Sequence, residues 1–214
     1  MRGKFISLEG IDGSGKTTQL RLLESALTAR GIACLSTFEP GGTTLGRQIR
    51  QALLRVSDQK VEPLAELLLF AAARAQHVSE LISPALDGGR VVLCDRFIDA
   101  TVAYQGYGRG IDLELISRLN ELATRGLKPD LTIVLEIPVT TGLGRAADRG
   151  SNGTQGEWNR LDREPPEFHE RVRKGYQAIA QGDPTRVRVV DASGDEEETS
   201  KLVIAEVEKS LNKL

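Results

Sequence analysis

A chain of 214 residues, 40% hydrophobic and 27% charged, has the size and make-up of one large α/β domain with a water-facing surface. Its formal charge of −2 argues against a general duplex nucleic-acid binder, and the absence of any apolar run of about 18 residues argues against a membrane span. The chain enters a strand pattern at Lys4 with no long apolar leader, so the expected compartment is cytoplasmic, with no nucleic-acid or membrane partner. Cys34 and Cys94 both fall in strand patterns and read as buried reduced thiols.

The first strand is predicted over Lys4–Glu9. It runs into Gly10-Ile11-Asp12-Gly13-Ser14-Gly15-Lys16-Thr17-Thr18, which matches the phosphate-binding pattern G-x-x-x-x-G-K-[ST] between a strand and a helix start. Glycines there let the backbone turn its N–H groups onto a polyphosphate, and the helix N-terminus adds its positive dipole end. Lys16 is placed to reach the β- and γ-phosphates of a nucleotide, and Thr17 to ligate Mg²⁺. A helix follows to about Ala29, with Leu20, Leu23 and Leu27 on one face.

Strand 2 is predicted over Ala33–Phe38 and is broken by Glu39-Pro40-Gly41-Gly42. After a helix over Leu45–Arg55, one long helix is predicted over Glu62–Ala85. Strand 3 is predicted over Val91–Cys94 and ends at Asp95-Arg96. Phe97–Gln105 and a run of glycines lead to a helix from about Asp112 to Thr124. Strand 4 is predicted over Leu131–Ile137, with a helix over Thr140–Asp148 behind it. A Gly/Ser/Asn-rich break spans Arg149–Gln155, followed by a helix over Glu164–Ile179, strand 5 over Arg186–Asp191, and a helix over Glu196–Leu214. Strands alternating with helices imply a parallel, doubly wound sheet in one domain.

Ligands of such sheets bind beyond the carboxyl ends of the strands. The phosphate loop, Glu39-Pro40 and Asp95-Arg96 all fall on that rim. Asp95 is placed to assist Mg²⁺, and Arg96 to clamp a phosphate in bidentate fashion or to make a surface ion pair. Phe70 and Arg74 share one helix face, as either core or base-binding residues. Arg145, Arg149, Arg160 and Arg163 flank the Gly/Ser/Asn-rich break, as either a solvated surface or a closing lid that brings cations to phosphates.

Taken in order, these segments resemble the thymidylate kinase family, bacterial type. The resemblance covers nearly the whole chain. It rests on the phosphate loop, Phe38-Glu39-Pro40-Gly41-Gly42-Thr43, Leu69-Phe70-Ala71-Ala72-Ala73-Arg74, Asp95-Arg96-Phe97, Ala103-Tyr104-Gln105-Gly106, Pro129-Asp130-Leu131-Thr132 and Arg160-Leu161-Asp162 with Phe168 and Tyr176. It implies a three-layer α/β/α P-loop NTPase fold around a five-stranded parallel sheet, with a lid at about 142–165.

The implied reaction is phosphorylation of dTMP by ATP with Mg²⁺, in a homodimer. Phe70 would stack on thymine, Arg74 and Thr101 would bond to it, and Tyr104 would lie against the sugar. Asp12 would orient the sugar 3′-hydroxyl side of the acceptor, Arg50 and Arg96 would hold its phosphate, and Glu39 and Gln105 would line its site. No basic residue stands at Asp12-Gly13-Ser14, so the resemblance assigns the missing charge to the lid, with Arg149 first and Arg145 and Arg160 as rivals. Other readings are a kinase for another nucleoside monophosphate or a deoxynucleoside, and a regulatory P-loop NTPase. The chain has no N-K-x-D motif and no D-x-x-G after the third strand, which disfavours the regulator.

Overall fold

The structure is a computed structural model that describes residues 2–56, 60–151 and 159–211, with residues 149–151 described by their backbone alone. The elements are β1 (Phe5–Glu9), α1 (Lys16–Ala29), β2 (Cys34–Phe38), α2 (Thr44–Leu54), α3 (Pro63–His77), α4 (Ser83–Asp87), β3 (Val91–Asp95), α5 (Ile98–Thr101), α6 (Leu113–Thr124), β4 (Leu131–Glu136), α7 (Val139–Ser151), α8 (Pro166–Gly182), β5 (Val187–Asp191) and α9 (Glu196–Leu211).

All strand pairs are parallel, in the order β2-β3-β1-β4-β5. The most buried strand, β1, is central, and its Ser7 is opposite Cys94 on one side and Thr132 on the other. Successive side chains of a strand face opposite ways. Ile6 and Leu8 therefore join Leu20, Leu23 and Leu27 of α1 and Val203 and Val207 of α9. Phe5 packs with Val78, Ile82, Leu86 and Phe97. Ser7 and Glu9 share the alternation of Phe5, so they face the same layer.

The long predicted helix is a composite. It starts where the Glu62 carboxylate accepts from the N–H groups of Leu64 and Ala65, a cap worth about 1 kcal/mol, with Pro63 in the first turn. Between α3 and α4 it widens into a π turn over Val78–Ile82. Pro84 lies just beyond; it cannot donate to an earlier carbonyl, and its ring would crowd the carbonyl four residues back, so a wider turn suits it.

A second π segment, Val102–Gly108, follows α5 and takes in Gly106 and Gly108 of the glycine run. The glycines are there for close packing. A Cβ on Gly106 would stand 2.5 Å from Leu113, and one on Gly108 would stand 2.7 Å from Phe168. The helix α7 extends past its predicted end at Asp148 to Ser151, because the backbone turn continues through Gly150.

Candidate active site

The phosphate loop leaves β1 at Gly10 and closes at Gly15, the left-handed residue before α1. Gly13 has φ 79°, and a Cβ there would stand 2.1 Å from the carbonyl oxygen of Gly142. The backbone of α7 thus packs directly on the loop, and a basic side chain at position 13 has no room. Lys16 is buried inside the turn and donates to the carbonyls of Gly10 (3.2 Å) and Ile11 (2.9 Å) and to Ser14 Oγ (3.4 Å). Burial and the neighbouring Arg96 push its pKa down to about 8, while Asp95, Asp12 and Glu9 oppose that shift. A polyphosphate beside it favours the charged form.

Thr17 Oγ1 donates to Asp95 Oδ2 at 2.7 Å, which joins the start of α1 to the end of β3. No group of three or more His, Cys, Asp or Glu residues able to hold a metal occurs among the described residues. The Thr17 hydroxyl and the Asp95 carboxylate are hard oxygen donors, the kind that fit Mg²⁺.

Arg96 is the hub of the rim. Its φ is 70°, in the left-handed region that costs a non-glycine residue roughly 1–3 kcal/mol. Its Nη1 donates to Gly10 O (2.9 Å) and Tyr176 Oη (3.1 Å), and its Nη2 to Asp12 Oδ1 (2.7 Å) and Tyr104 Oη (3.0 Å). Tyr104 donates in turn to Asp12 Oδ2 at 2.7 Å. Burial works to raise the Asp12 pKa, but Arg96, Lys16 and the Tyr104 hydroxyl together hold it below the usual carboxylate range. Asp12 is therefore ionised at neutral pH.

Two cavities flank this hub. One is lined by Phe70, Arg74, Thr101, Tyr104, Gln105 and Glu39, among others. The other is a wide cleft over Gly13, Gly15, Lys16, Thr17 and Thr18, with Asp95 and Arg163 on its walls. Asp12, Arg50, Leu54, Arg96 and Asn159 line both. The guanidinium-bearing residues Arg50 and Arg96 thus border both cavities.

In the smaller cavity Phe70 is half-buried and shows one part to the pocket. Arg74 is only 2% exposed. It donates from Nε to Glu39 (2.8 Å), from Nη1 to Asn120 (2.6 Å), and from Nη2 to Thr101 (2.8 Å) and the Phe97 carbonyl (3.1 Å). One N–H of Nη1, out of the five a guanidinium carries, is left without a partner among the described residues. Glu39 is held rigid from behind by His77, whose other ring nitrogen meets Thr37. Gln105 gives its amide N–H to Glu66 at 2.8 Å.

Of the lid arginines, Arg145 is exposed on α7. Arg160 is tied down: it donates to Leu53 O at 3.0 Å and to Glu66. Arg163 lines the phosphate cleft. The side chain of Arg149 lies outside the described residues, as does the segment 152–158.

A profile of the family described as thymidylate kinase matches residues 8–203. The chain belongs to the thymidylate kinase family. The thymidylate kinase of Syntrophotalea carbinolica is 50% identical over 208 residues, which is 97% of this chain and 96% of that protein. A Geobacter sp. thymidylate kinase is 53% identical over 201 residues, covering 94% and 89%. The crystal structure of thymidylate kinase from Ehrlichia chaffeensis matches with a TM-score of 0.75 and 37% identity, over 99% of this chain and all of that one. The P-loop NTPase fold and the class of enzyme follow from that membership.

Two buried acidic residues of this family member escape the motif reading. Glu66, on α3, is fully buried and accepts from Gln105, Arg109 and Arg160. Glu9, also fully buried, sits directly before the phosphate loop. Each is a lone acid in an apolar run, Leu64-Ala65-Glu66-Leu67-Leu68 and Phe5-Ile6-Ser7-Leu8-Glu9. That pattern was the available signal, since a buried charge needs partners.

Proposed function

We propose that the chain, as one domain with its lid at about 142–165, transfers the γ-phosphoryl group of ATP to dTMP. The observation that carries this reading is the shared wall of the two cavities, with Arg50, Arg96 and Asp12 between a phosphate-loop cleft and a pocket lined by Phe70 and Arg74. ATP would lie on Gly10–Thr18 and dTMP in the pocket. Phe70 would stack on the base, and the remaining Arg74 N–H would donate to a base oxygen. Tyr104 would meet the sugar, with its hydroxyl already committed to Asp12.

In the reaction an acceptor phosphate oxygen bonds to the γ-phosphorus as the bond to the β–γ bridging oxygen breaks, and ADP leaves. A phosphate monoester is largely deprotonated at neutral pH, since its second pKa is about 6, so no general base is needed. Lys16, Arg50 and Arg96 hold and neutralise the phosphates, and a lid arginine, Arg149 or Arg163, completes the charge. Thr17 and Asp95 would hold Mg²⁺ with the nucleotide, and the ion would supply charge neutralisation for the transferring phosphates.

ADP release from ATP with dTMP, dUMP, dCMP, dGMP, AMP or UMP tests this reading. Turnover should require a monophosphate and favour dTMP; equal ADP release without any monophosphate would overturn it. Replacing Phe70 by Ala should raise the dTMP KM about 10- to 100-fold, the scale of one lost base stack, and leave the ATP KM nearly unchanged. The reverse pattern would remove Phe70 from the acceptor site.

The exposed leucines Leu64 and Leu68, one turn apart on α3, support a homodimer formed through that helix. Its mass in solution by light scattering tests this. No described helix is long and apolar enough to cross a membrane, and free nucleotide substrates fit a cytoplasmic site.

A further inference from the structure

A buried carboxyl group at the end of an apolar strand is costly, and a hydrophobic residue of similar volume is often neutral or stabilising in such a place. Glu9 is fully buried on β1, so the position invites an account of what its two oxygens do. Oε1 accepts from the backbone N–H of Phe97 at 2.7 Å. Oε2 accepts from the hydroxyl of Tyr176 at 2.8 Å. Both bonds lead to Arg96.

Phe97 directly follows Arg96, whose own N–H is bonded to Leu8 O at 3.0 Å. The left-handed turn at Arg96 is thus held on both sides by consecutive residues of β1, by the Leu8 carbonyl before it and the Glu9 carboxyl after it. A non-glycine residue stays in that conformation only where its surroundings over-determine it. The second route runs through Tyr176, 1% exposed, whose oxygen accepts from Arg96 Nη1 at 3.1 Å. One side chain therefore clamps both the backbone and the guanidinium of the residue that faces the two cavities.

We infer that Glu9 is a positioning residue for the acceptor phosphate: by accepting from Phe97 N–H and Tyr176 O–H it sets the left-handed turn and the aim of Arg96. The inference rests on the reading of Arg96 as an acceptor-phosphate ligand. It makes acceptor affinity, and not donor affinity, depend on a residue that touches neither nucleotide.

Steady-state kinetics of Glu9→Leu, Glu9→Gln, Tyr176→Phe and Arg96→Ala, each checked by thermal melting, test it. Glu9→Leu keeps a folded protein and raises the dTMP KM at least about tenfold, the scale of one hydrogen bond to a charged group, with the ATP KM within about twofold of wild type. Glu9→Gln retains an acceptor for Phe97 N–H and a partner for Tyr176, and restores most of the dTMP affinity. Tyr176→Phe cuts only the second route and raises the dTMP KM by a smaller factor.

A folded Glu9→Leu with wild-type dTMP KM overturns the inference, as does a Glu9→Gln variant as impaired as Glu9→Leu. Should Glu9→Leu fail to fold, a wild-type dTMP KM in Tyr176→Phe overturns it. Arg96→Ala separates the two levels: if its dTMP KM is unchanged, the acceptor-site reading itself fails. If that KM rises and the Glu9 variants stay normal, only the positioning role fails.

Discussion

Lys16→Ala should lower kcat by roughly 10²–10³-fold or more, the loss measured when one preorganised transition-state donor is removed. The melting temperature should change little by comparison. Lys16 itself lines the open phosphate cleft, so removing its side chain opens to that cleft the buried acceptors it now serves, the carbonyls of Gly10 and Ile11 and the Ser14 hydroxyl. Water can replace an ammonium there in the resting loop. It cannot replace a positive charge on the transferring phosphoryl group, where charge is spread over the equatorial oxygens. Single-turnover measurements at saturating ATP and dTMP, beside a thermal melt, check this. A wild-type kcat would remove the loop from the chemistry, and a large loss of stability would mean that the lysine is a structural prop.

The largest effect on stability is expected from Glu66→Ala. Glu66 accepts from Gln105 Nε2, from Arg109 Nε and Nη2 and from Arg160 Nη2, and so ties α3 to the second π segment, to the residue just after it and to Arg160. Arg109 also pairs with Glu164 at 2.6 Å and lies over the Phe168 ring. Removing the acid leaves two guanidiniums, each about 15% exposed, short of a buried partner. Breaking a buried pair in this way costs about 3–5 kcal/mol, which for a domain of this size lowers the melting temperature by roughly 10 °C. Glu66→Gln keeps the acceptor oxygen and should lose less. A melting temperature within about a degree of wild type for Glu66→Ala would sink the account.

The same knot predicts an acid limb. Burial works to raise the Glu66 pKa, but the bonds from Arg109, Gln105 and Arg160 bring it below the usual glutamate value. A carboxyl with a depressed folded pKa contributes stability that is complete above its unfolded pKa and is lost as pH falls through the folded value. The contribution of Glu66 is therefore intact at neutral pH and fades only below the ordinary glutamate range. Glu66→Gln should flatten that part of the stability profile.

Much of the fold was legible because its signals are local. The strands β1 to β5 lie within a residue of the predicted spans, since each is a short apolar run between turn residues. The phosphate loop was legible for the same reason: its function depends on backbone shape, and the glycines that permit the shape are adjacent in sequence. The π segment over Gly106 and Gly108 was not legible, because a glycine can mark either a break or a close approach. Only the positions of Leu113 and Phe168 show that it is the second. The π turn at Val78–Ile82 was missed because its helical pattern of apolar residues is unbroken, and only the register before Pro84 changes.

The arginines divide the two kinds of knowledge most clearly. By itself the sequence determined that a parallel sheet carries a phosphate loop, that Asp95-Arg96 and Glu39-Pro40 stand on the same rim, and that the family is that of thymidylate kinases. It could not say which arginine does what. Arg160 is joined to Glu66 across 94 positions, Arg96 to Asp12 across 84 and to Tyr176 across 80. An arginine is equally charged in all of these places, so its role is decided by the acceptor that meets it. Those acceptors come from other strands and helices, and only the folded sheet brings them within 3 Å or so of the guanidiniums.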